Sequence, residues 1–339
     1  MTGQAPDLGC LPSYRQLLER RDGPPGSSWG LFGSGDQLGT LNLLRLGDLR
    51  EAAAEVRAGQ AYSLDLRHDA IAPSLAPTRQ PLVHTIFQRT PFHRDEWVDR
   101  FYPQYGSQVD GLRHIAHPDY GFYNGNDPAA FRPGTDDLSI HHMAGLPIAG
   151  RGVLIDVARY LEAAGTLLDH RAGEPVPIDV VEAALRHQGT TVIPGDLLLI
   201  RFGWLDYYRH RASPGWRENL SRDQRHTGLA QSHDAVEWLW DHRISLVAAD
   251  NFALEAWPAP PDSPFLSAAE RKGATGDPHR GIMHRSLIGL LGMPIGELWD
   301  LDALAAACAA DTRWTFLLTI ALLPLAGGVG APANATALR

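Results

Sequence analysis

The sequence predicts an α/β fold, on three observations. Short apolar runs of strand length recur from residue 152 onward, at residues 152–157, 197–200 and 244–249. Amphipathic stretches of helical length, at 178–188, 233–242 and 301–310, alternate with them. Turn signals such as Gly195-Asp196 separate the two kinds of segment, the pattern of helices laid on a sheet.

Taken in order, the first 35 residues are rich in Gly, Pro and Ser and read as a loose lead-in. Residues 47–59 read as a helix, with Asp48 as its cap, Leu49, Ala52, Ala53 and Val56 as its apolar stripe and Gly59 as its end. Residues 61–67 alternate apolar and polar and predict a strand. Residues 70–140 carry many Pro, Gly, His and aromatic residues with little periodicity, the kind of stretch in which binding loops sit. The strand at 152–157 follows, then the helix at 178–188, the strand at 197–200, the helix at 233–242 and the strand at 244–249, which runs into Asp250. A helix at 301–310 and a strand or strand pair at 315–323 close the series. No repeat and no linker occurs after residue 40, so residues 36–339 are expected to form one domain.

Composition narrows the function. Apolar residues make up 44% of the chain and charged residues 20%, a globular balance that excludes whole-chain disorder. A formal net charge of −9 lacks the electrostatic footprint of a nucleic-acid binder. Lys272 is the only lysine, so a Schiff-base mechanism would have to use it. Cys10 and Cys308 are too few for a disulfide framework or a cysteine-rich zinc site. The N-terminus has neither a basic start nor an apolar run. The greasiest segment, 316–325, is too short to span a bilayer. A cytoplasmic protein without membrane or nucleic-acid partners is expected.

Two short motifs fail on context. Gly26-Ser27-Ser28-Trp29-Gly30 has the nucleophile-elbow spacing, but Pro24-Pro25 stands where a buried strand is required. Gly33-Ser34-Gly35 followed by Gly39 misses the dinucleotide spacing and also lacks a preceding strand.

The segment 104–114 carries more weight. Gln104, Gln108, Asp110 and His114 share even spacing, which on an extended chain puts them on one side. A solvated polar loop is the competing reading of these residues alone. The segment resembles the signature His-x-Gly-Thr-His-x-Asp-x-x-x-His of the Putative cyclase family, which includes bacterial kynurenine formamidase and isatin hydrolase. Further stretches are similar to that family in the same order: Leu38-Gly39-Thr40-Leu41-Asn42-Leu43-Leu44, Phe122-Tyr123-Asn124-Gly125, Gly150-Arg151-Gly152-Val153-Leu154-Ile155-Asp156, Gly195-Asp196 with Arg201-Phe202-Gly203-Trp204, Ala248-Ala249-Asp250-Asn251, Gly292-Met293-Pro294-Ile295-Gly296-Glu297-Leu298, and Gly327-Gly328-Val329-Gly330-Ala331-Pro332-Ala333-Asn334.

The resemblance implies a swivelling β/β/α fold with a β-rich core and flanking helices, usually dimeric or larger. It also implies an enzyme that hydrolyses or closes a cyclic amide or lactone of a small acyl compound. In metal-dependent members the first two signature histidines and the aspartate bind zinc or manganese. Here those positions hold Gln104, Gln108 and Asp110, and a carboxamide oxygen is a far weaker ligand than an imidazole. A longer branch of the family also carries Gln there, and the chain resembles that branch most. The expectation is therefore catalysis without a cofactor, with zinc or manganese as the alternative.

His114 matches the proton-transfer histidine, with Asp110 expected to orient it. His284 and Glu297 match downstream residues approaching the same site, with a helix from 284 to 291 between them. Gln104, Gln108, Tyr123 and Trp204 are the expected substrate contacts, and Phe101 and Tyr102 are further pocket candidates. His117, His141 and His142 form a second histidine group that could bring a metal by another route. A dehydrating cyclase of a natural-product pathway, or a small-molecule binding protein, remains open beside the hydrolase.

Overall fold

A computed structural model describes residues 10–339. Its strands are β1 (Ala61–Ser63), β2 (Val83–Thr90), β3 (His93–Asp99), β4 (Gln108–Asp110), β5 (Ile148–Asp156), β6 (Pro175–Val176), β7 (Leu197–Arg201), β8 (Gly228–Leu229), β9 (Leu246–Ala249), β10 (Ile295–Glu297), β11 (Thr315–Ile320), β12 (Gly330–Pro332) and β13 (Ala335–Leu338). Nine of them form one sheet in the order β1-β13-β11-β5-β7-β9-β10-β4-β12. The central strands β5, β7, β9 and β10 run parallel, and the strands on either flank pair antiparallel.

The sheet curls strongly. β12 ends at Pro332 and β13 begins at Ala335, yet they are second from one edge and last at the other. Three residue steps reach about 11 Å, whereas seven strand spacings in a flat sheet need about 34 Å. The edges must therefore bend toward each other, which sets β4, β10 and β12 around a common floor.

The parallel strands are apolar because both of their faces are covered. Val153, Leu154 and Ile155 of β5, Leu197–Ile200 of β7 and all of β9 are fully buried. Helices Val157–Ala163 and Ile178–His187 join β5 to β7, and His233–Asp241 precedes β9. The expected α/β class, with a β-rich core and flanking helices, is the observed one. None of the described helices is long and apolar enough to cross a membrane.

From residue 148 onward the strands and helices read from the sequence are found within a few residues of their expected bounds, while the helices Val157–Ala163 and Pro214–Asp223 and the short strands β6, β8, β10, β12 and β13 were not read; the first third departs further. Residues 1–9 of the proposed lead-in lie outside the described residues. From Leu11 on, the segment is packed rather than loose. Ser13 caps a short helix, Tyr14–Leu18, whose Tyr14 amide donates to Asp241 Oδ1 at 2.8 Å. Trp240 Nε1 donates to the Pro12 carbonyl at 2.9 Å.

The helix expected at 47–59 is only Leu49–Ala53, capped by Asp48 as predicted; Leu49 and Val56 are exposed, so no apolar stripe forms. The strand expected at 61–67 stops at Ser63, because the Leu66 amide turns away to donate to Ser107 Oγ. The irregular stretch 70–140 contains the β2–β3 hairpin. Its side chains lie mostly in solvent on both faces, so no apolar/polar alternation announces it.

Candidate active site

β4 and β10 build the floor of the site. They pair antiparallel with Ile295 opposite Asp110 and Glu297 opposite Gln108. Directly opposed residues share a face, so the Gln108 amide nitrogen donates to Glu297 Oε2 at 2.8 Å. Gly296 lies between them, where a Cβ would stand 2.4 Å from that of Ala248 on β9.

His284 enters from the turn before the π-helical segment Arg285–Leu290, close to the helix expected there. Its Nε2 lies 3.3 Å from Glu297 Oε1 and its Nδ1 2.6 Å from Glu255 Oε1. Glu255 is fully buried and gathers further donors: the backbone amides of Met283 and His284 at 2.6 and 2.9 Å, and Gln231 Nε2 at 2.9 Å. The segment carrying it is unusual, since Ala253 and Leu254 both adopt the left-handed region. Such backbone costs free energy and is held only where its surroundings enforce it. Here β8 does so: Leu229 N–H donates to the Leu254 carbonyl and Ala256 N–H to the Leu229 carbonyl. A side chain at Gly228 would lie 2.5 Å from the Leu254 carbonyl oxygen, so glycine is required for that approach.

On the other side of the floor, Gln104 Nε2 donates both to Asp110 Oδ1 and to His114 Nδ1, the latter at 3.0 Å. Asp110 was expected to orient His114 directly. Instead the His114 Nε2 to Asp110 Oδ2 separation is 3.9 Å, beyond hydrogen-bond reach, and the Gln104 amide is the link.

The electrostatics set the two histidines apart. Burial outweighs the nearby Asp110 charge and pushes His114 down to about 4, so its ring is neutral in ordinary buffers. Burial also disfavours the charged form of His284, but Glu255 and Glu297 outweigh it and hold that ring up to about 10. Burial raises Asp110, against the pull of His114. At His114 desolvation dominates over the pull of the neighbouring carboxylate, and at His284 the carboxylates dominate over desolvation.

His114, His284 and Glu297 face a cavity of about 400 Å³. Its walls are apolar, with Phe252, Trp257, Ile115, Ile282, Pro77 and Pro278, and Arg79 and His279 also line it. Asp110, Gln104 and Gln108 lie behind this surface, within hydrogen-bond or near-contact distance of the residues that line it. Tyr123 and Trp204, expected to touch substrate, do not reach the cavity. Tyr123 is fully buried and donates its hydroxyl to Asp36 Oδ2 at 3.1 Å. Trp204 is fully buried and stacks on Tyr208. Phe101 and Tyr102 do not line it either. Ser28 of the failed elbow is buried, its hydroxyl donating to the Leu291 carbonyl.

Glu255 and the Phe252–Trp257 wall are absent from the sequence reading. The available signal was a lone carboxylate inside Ala253-Leu254-Glu255-Ala256-Trp257, since a charge in an apolar run must be paired if buried.

The donor set can be tested against a metal. Asp110, His284 and Glu297 offer donor atoms within 4.8 Å of one another and are the residues a divalent cation would engage. Two buried oxygens, Asp110 Oδ2 and Gln108 Oε1, have no hydrogen-bond partner among the described residues. The two glutamines do not fit: Gln104 and Gln108 aim N–H groups at Asp110 and Glu297. As arranged, protons rather than a cation face these carboxylates. Asp136, His141 and His142 form a second group with ligand atoms within 4.8 Å, partly exposed and not on the cavity wall. His117, for its part, is pushed down to about 4 by burial.

A sequence profile of the family described as Putative cyclase matches residues 65–256, more than half of the chain. The chain belongs to this family. A crystal structure described as a novel cyclase is 30% identical, with a TM-score of 0.77 over 92% of this chain and 99% of that one. An isatin hydrolase A from Labrenzia aggregata, bound to benzyl benzoate, is 16% identical with a TM-score of 0.55, covering 85% and 98% of the two chains. An isatin hydrolase bound to the product analogue thioisatinate is 17% identical with a TM-score of 0.53, covering 86% and 97%. At those identities the two isatin hydrolases share the cyclase fold with this chain. No curated protein matches the sequence.

Proposed function

We propose that this cyclase-family chain is a hydrolase that opens a cyclic amide or lactone of a small acyl compound by acid–base chemistry of its own side chains. One observation carries the reading: a neutral histidine, His114, and a charged one, His284, line the same cavity, each tied to a buried carboxylate system. Environments that push two titratable groups apart are how a site divides the roles of base and acid. The apolar walls suit an aryl or alkyl acyl group, in line with the isatin-type ring on which the hydrolases of the same fold are named to act.

Burial favours a proton on Asp110. With that proton in place, the Gln104 amide turns so that its oxygen accepts from both Asp110 and His114 Nδ1. His114 Nε2 is then the basic atom of a ring that lines the cavity. It takes a proton from water as the water oxygen attacks the acyl carbon. The acyl C–N or C–O bond breaks, and the His284–Glu297 pair delivers a proton to the leaving nitrogen or oxygen. The products are a carboxylic acid and an amine or hydroxyl, joined in one chain when the substrate is a ring. The reverse sequence closes the ring.

The test is turnover of N-formyl arylamines, isatin-type lactams and aryl lactones in ¹⁸O-water, with wild type and His114→Ala. Label is expected in the product acid, and His114→Ala is expected to slow turnover about 10²–10⁴-fold with an unchanged melting temperature. A variant retaining more than about half of the rate would remove His114 from the role of base. Ring closure with loss of unlabelled water would favour the dehydrating cyclase, and binding without turnover the non-catalytic reading.

A further inference from the structure

Arg79 stands on the cavity wall without a counter-charge. It closes a turn: its backbone N–H donates to the Ala76 carbonyl at 3.0 Å, and the Ser74 hydroxyl donates to the same carbonyl at 2.9 Å. From there the half-buried guanidinium donates to the Gln104 carbonyl and lies 5.8 Å from the centre of the Phe252 ring. Both neighbours belong to the site, since the Gln104 amide reaches His114 Nδ1 and Phe252 is part of the apolar wall. Behind burial, which is the main cause, the Arg79 charge helps to keep His114 neutral. Arg201, Arg209 and Arg285 each meet two carboxylates, whereas Arg79 meets none among the described residues. The other cation-forming side chains of the wall are accounted for. His284 sits between Glu255 and Glu297, and burial pushes His279 down against the pull of Asp277. A guanidinium has five N–H donors, and this one commits a single nitrogen to the protein. An uncompensated cation in a largely apolar cavity favours a negative charge placed beside it.

We propose that Arg79 is a catalytic residue that receives the negative charge developing on the acyl oxygen and then holds the product carboxylate, a role that rests on the hydrolytic reading above. As the water oxygen bonds to the acyl carbon, its proton passes to His114 and the C=O electron pair moves onto the acyl oxygen. The oxyanion so formed faces the guanidinium. Its collapse breaks the acyl C–N or C–O bond, and the leaving atom takes a proton from the His284–Glu297 pair. The acid then ionises, returning a proton to that pair, and His114 releases its own to solvent. Its carboxylate stays on the guanidinium until it leaves. The planar fork of arginine matches a carboxylate through two parallel N–H···O bonds, and such donors count for most where water is excluded. The substrate therefore need not carry a charge of its own, whereas the acid product and its anionic analogues are expected to be the tighter ligands.

The experiment has a binding arm and a kinetic arm, both on the full chain. In the first, calorimetric titration compares benzoate with benzamide, which match in shape and differ in charge. Wild type is expected to bind benzoate about 10–100-fold more tightly, and Arg79→Gln to bind the two alike. In the second, Arg79→Gln is expected to lower kcat on the lactam and lactone series about 10²–10³-fold with KM little changed, and Arg79→Lys to recover part of the loss. Added guanidinium, at concentrations too low to unfold the chain, is expected to restore rate to Arg79→Ala and not to His114→Ala; a merely structural arginine would show no such rescue. Wild type that binds the probes alike, or binds neither, overturns the proposal. So does a folded Arg79→Gln that keeps the preference for benzoate or most of kcat. The two readings fail separately. Turnover without a preference for benzoate removes Arg79 alone, whereas a preference that depends on Arg79 without any turnover refutes the hydrolase and leaves Arg79 an anion anchor.

Discussion

Replacing Glu255 by Gln removes a negative charge from beneath His284 and leaves the shape nearly unchanged. A ring held up to about 10 instead of its ordinary 6.5 represents about 5 kcal/mol of preference for the charged form. Glu255 and Glu297 share that preference. The Glu255 contact is the shorter, at 2.6 against 3.3 Å, and takes the larger part, about 3 kcal/mol, at the low end of what breaking a buried ion pair costs. Scaled by an unfolding entropy of about 2 cal/mol/K per residue, this becomes a fall of about 4 °C in melting temperature at pH 7. The pH dependence carries a second signature. Because the folded ring binds its proton more tightly than the unfolded one, its stabilisation is complete below pH 6.5 and is lost as pH rises toward 10. Glu255→Gln should flatten that decline. Melting curves at pH 6, 7, 8 and 9 decide the matter. A variant that melts with wild type at pH 7, or whose decline from pH 7 to 9 runs parallel to it, would show that Glu255 does not set the charge of His284.

His226 is fully buried, neither ring nitrogen has a partner among the described residues, and burial pushes it down to about 3. Its neutral form is thus worth stability above pH 6.5 that is lost as pH falls toward 3, and His226→Phe should make melting less sensitive to acid between pH 6 and 4; an identical acid limb would refute this. Gln104→His with Gln108→His places two imidazoles beside Asp110, whose Oδ2 is unpartnered. The double variant should melt higher with added zinc or manganese, by about 2.7 kcal/mol of stability at a hundredfold excess over Kd, while wild type does not respond. Indifference of a folded double variant to both metals would show that these positions do not converge on one site.

What the sequence made legible follows burial. β5, β7 and β9 are covered on both faces, so they read as plain apolar runs, and the helices Ile178–His187 and His233–Asp241 show one apolar stripe each. The three-residue strands β4, β10 and β12 are too short to show any period, although they carry Gln108, Asp110 and Glu297. Those residues were found through the family resemblance, which registers chemistry rather than structure. A resemblance carries no geometry of this chain either. Tyr123 and Trp204 were expected near the chemistry, while in three dimensions both side chains serve packing. The support of His114 was likewise assigned to Asp110, four residues away, where the contact is made by Gln104 across a turn.

Glu255 shows the opposite limit. Its function depends on two left-handed residues before it, a glycine on β8 beneath it and a histidine 29 positions later, and none of these is a local pattern. Such a residue is visible only as a conflict, a charge where the surrounding residues are apolar. The β2–β3 hairpin is a conflict of the reverse sign, apolar side chains where the surroundings are solvent. The buried conflict is resolved inside the chain, by His284, two backbone amides and Gln231. The exposed one has no such resolution among the described residues, and no local pattern in the sequence announces it, because both of its faces are wet.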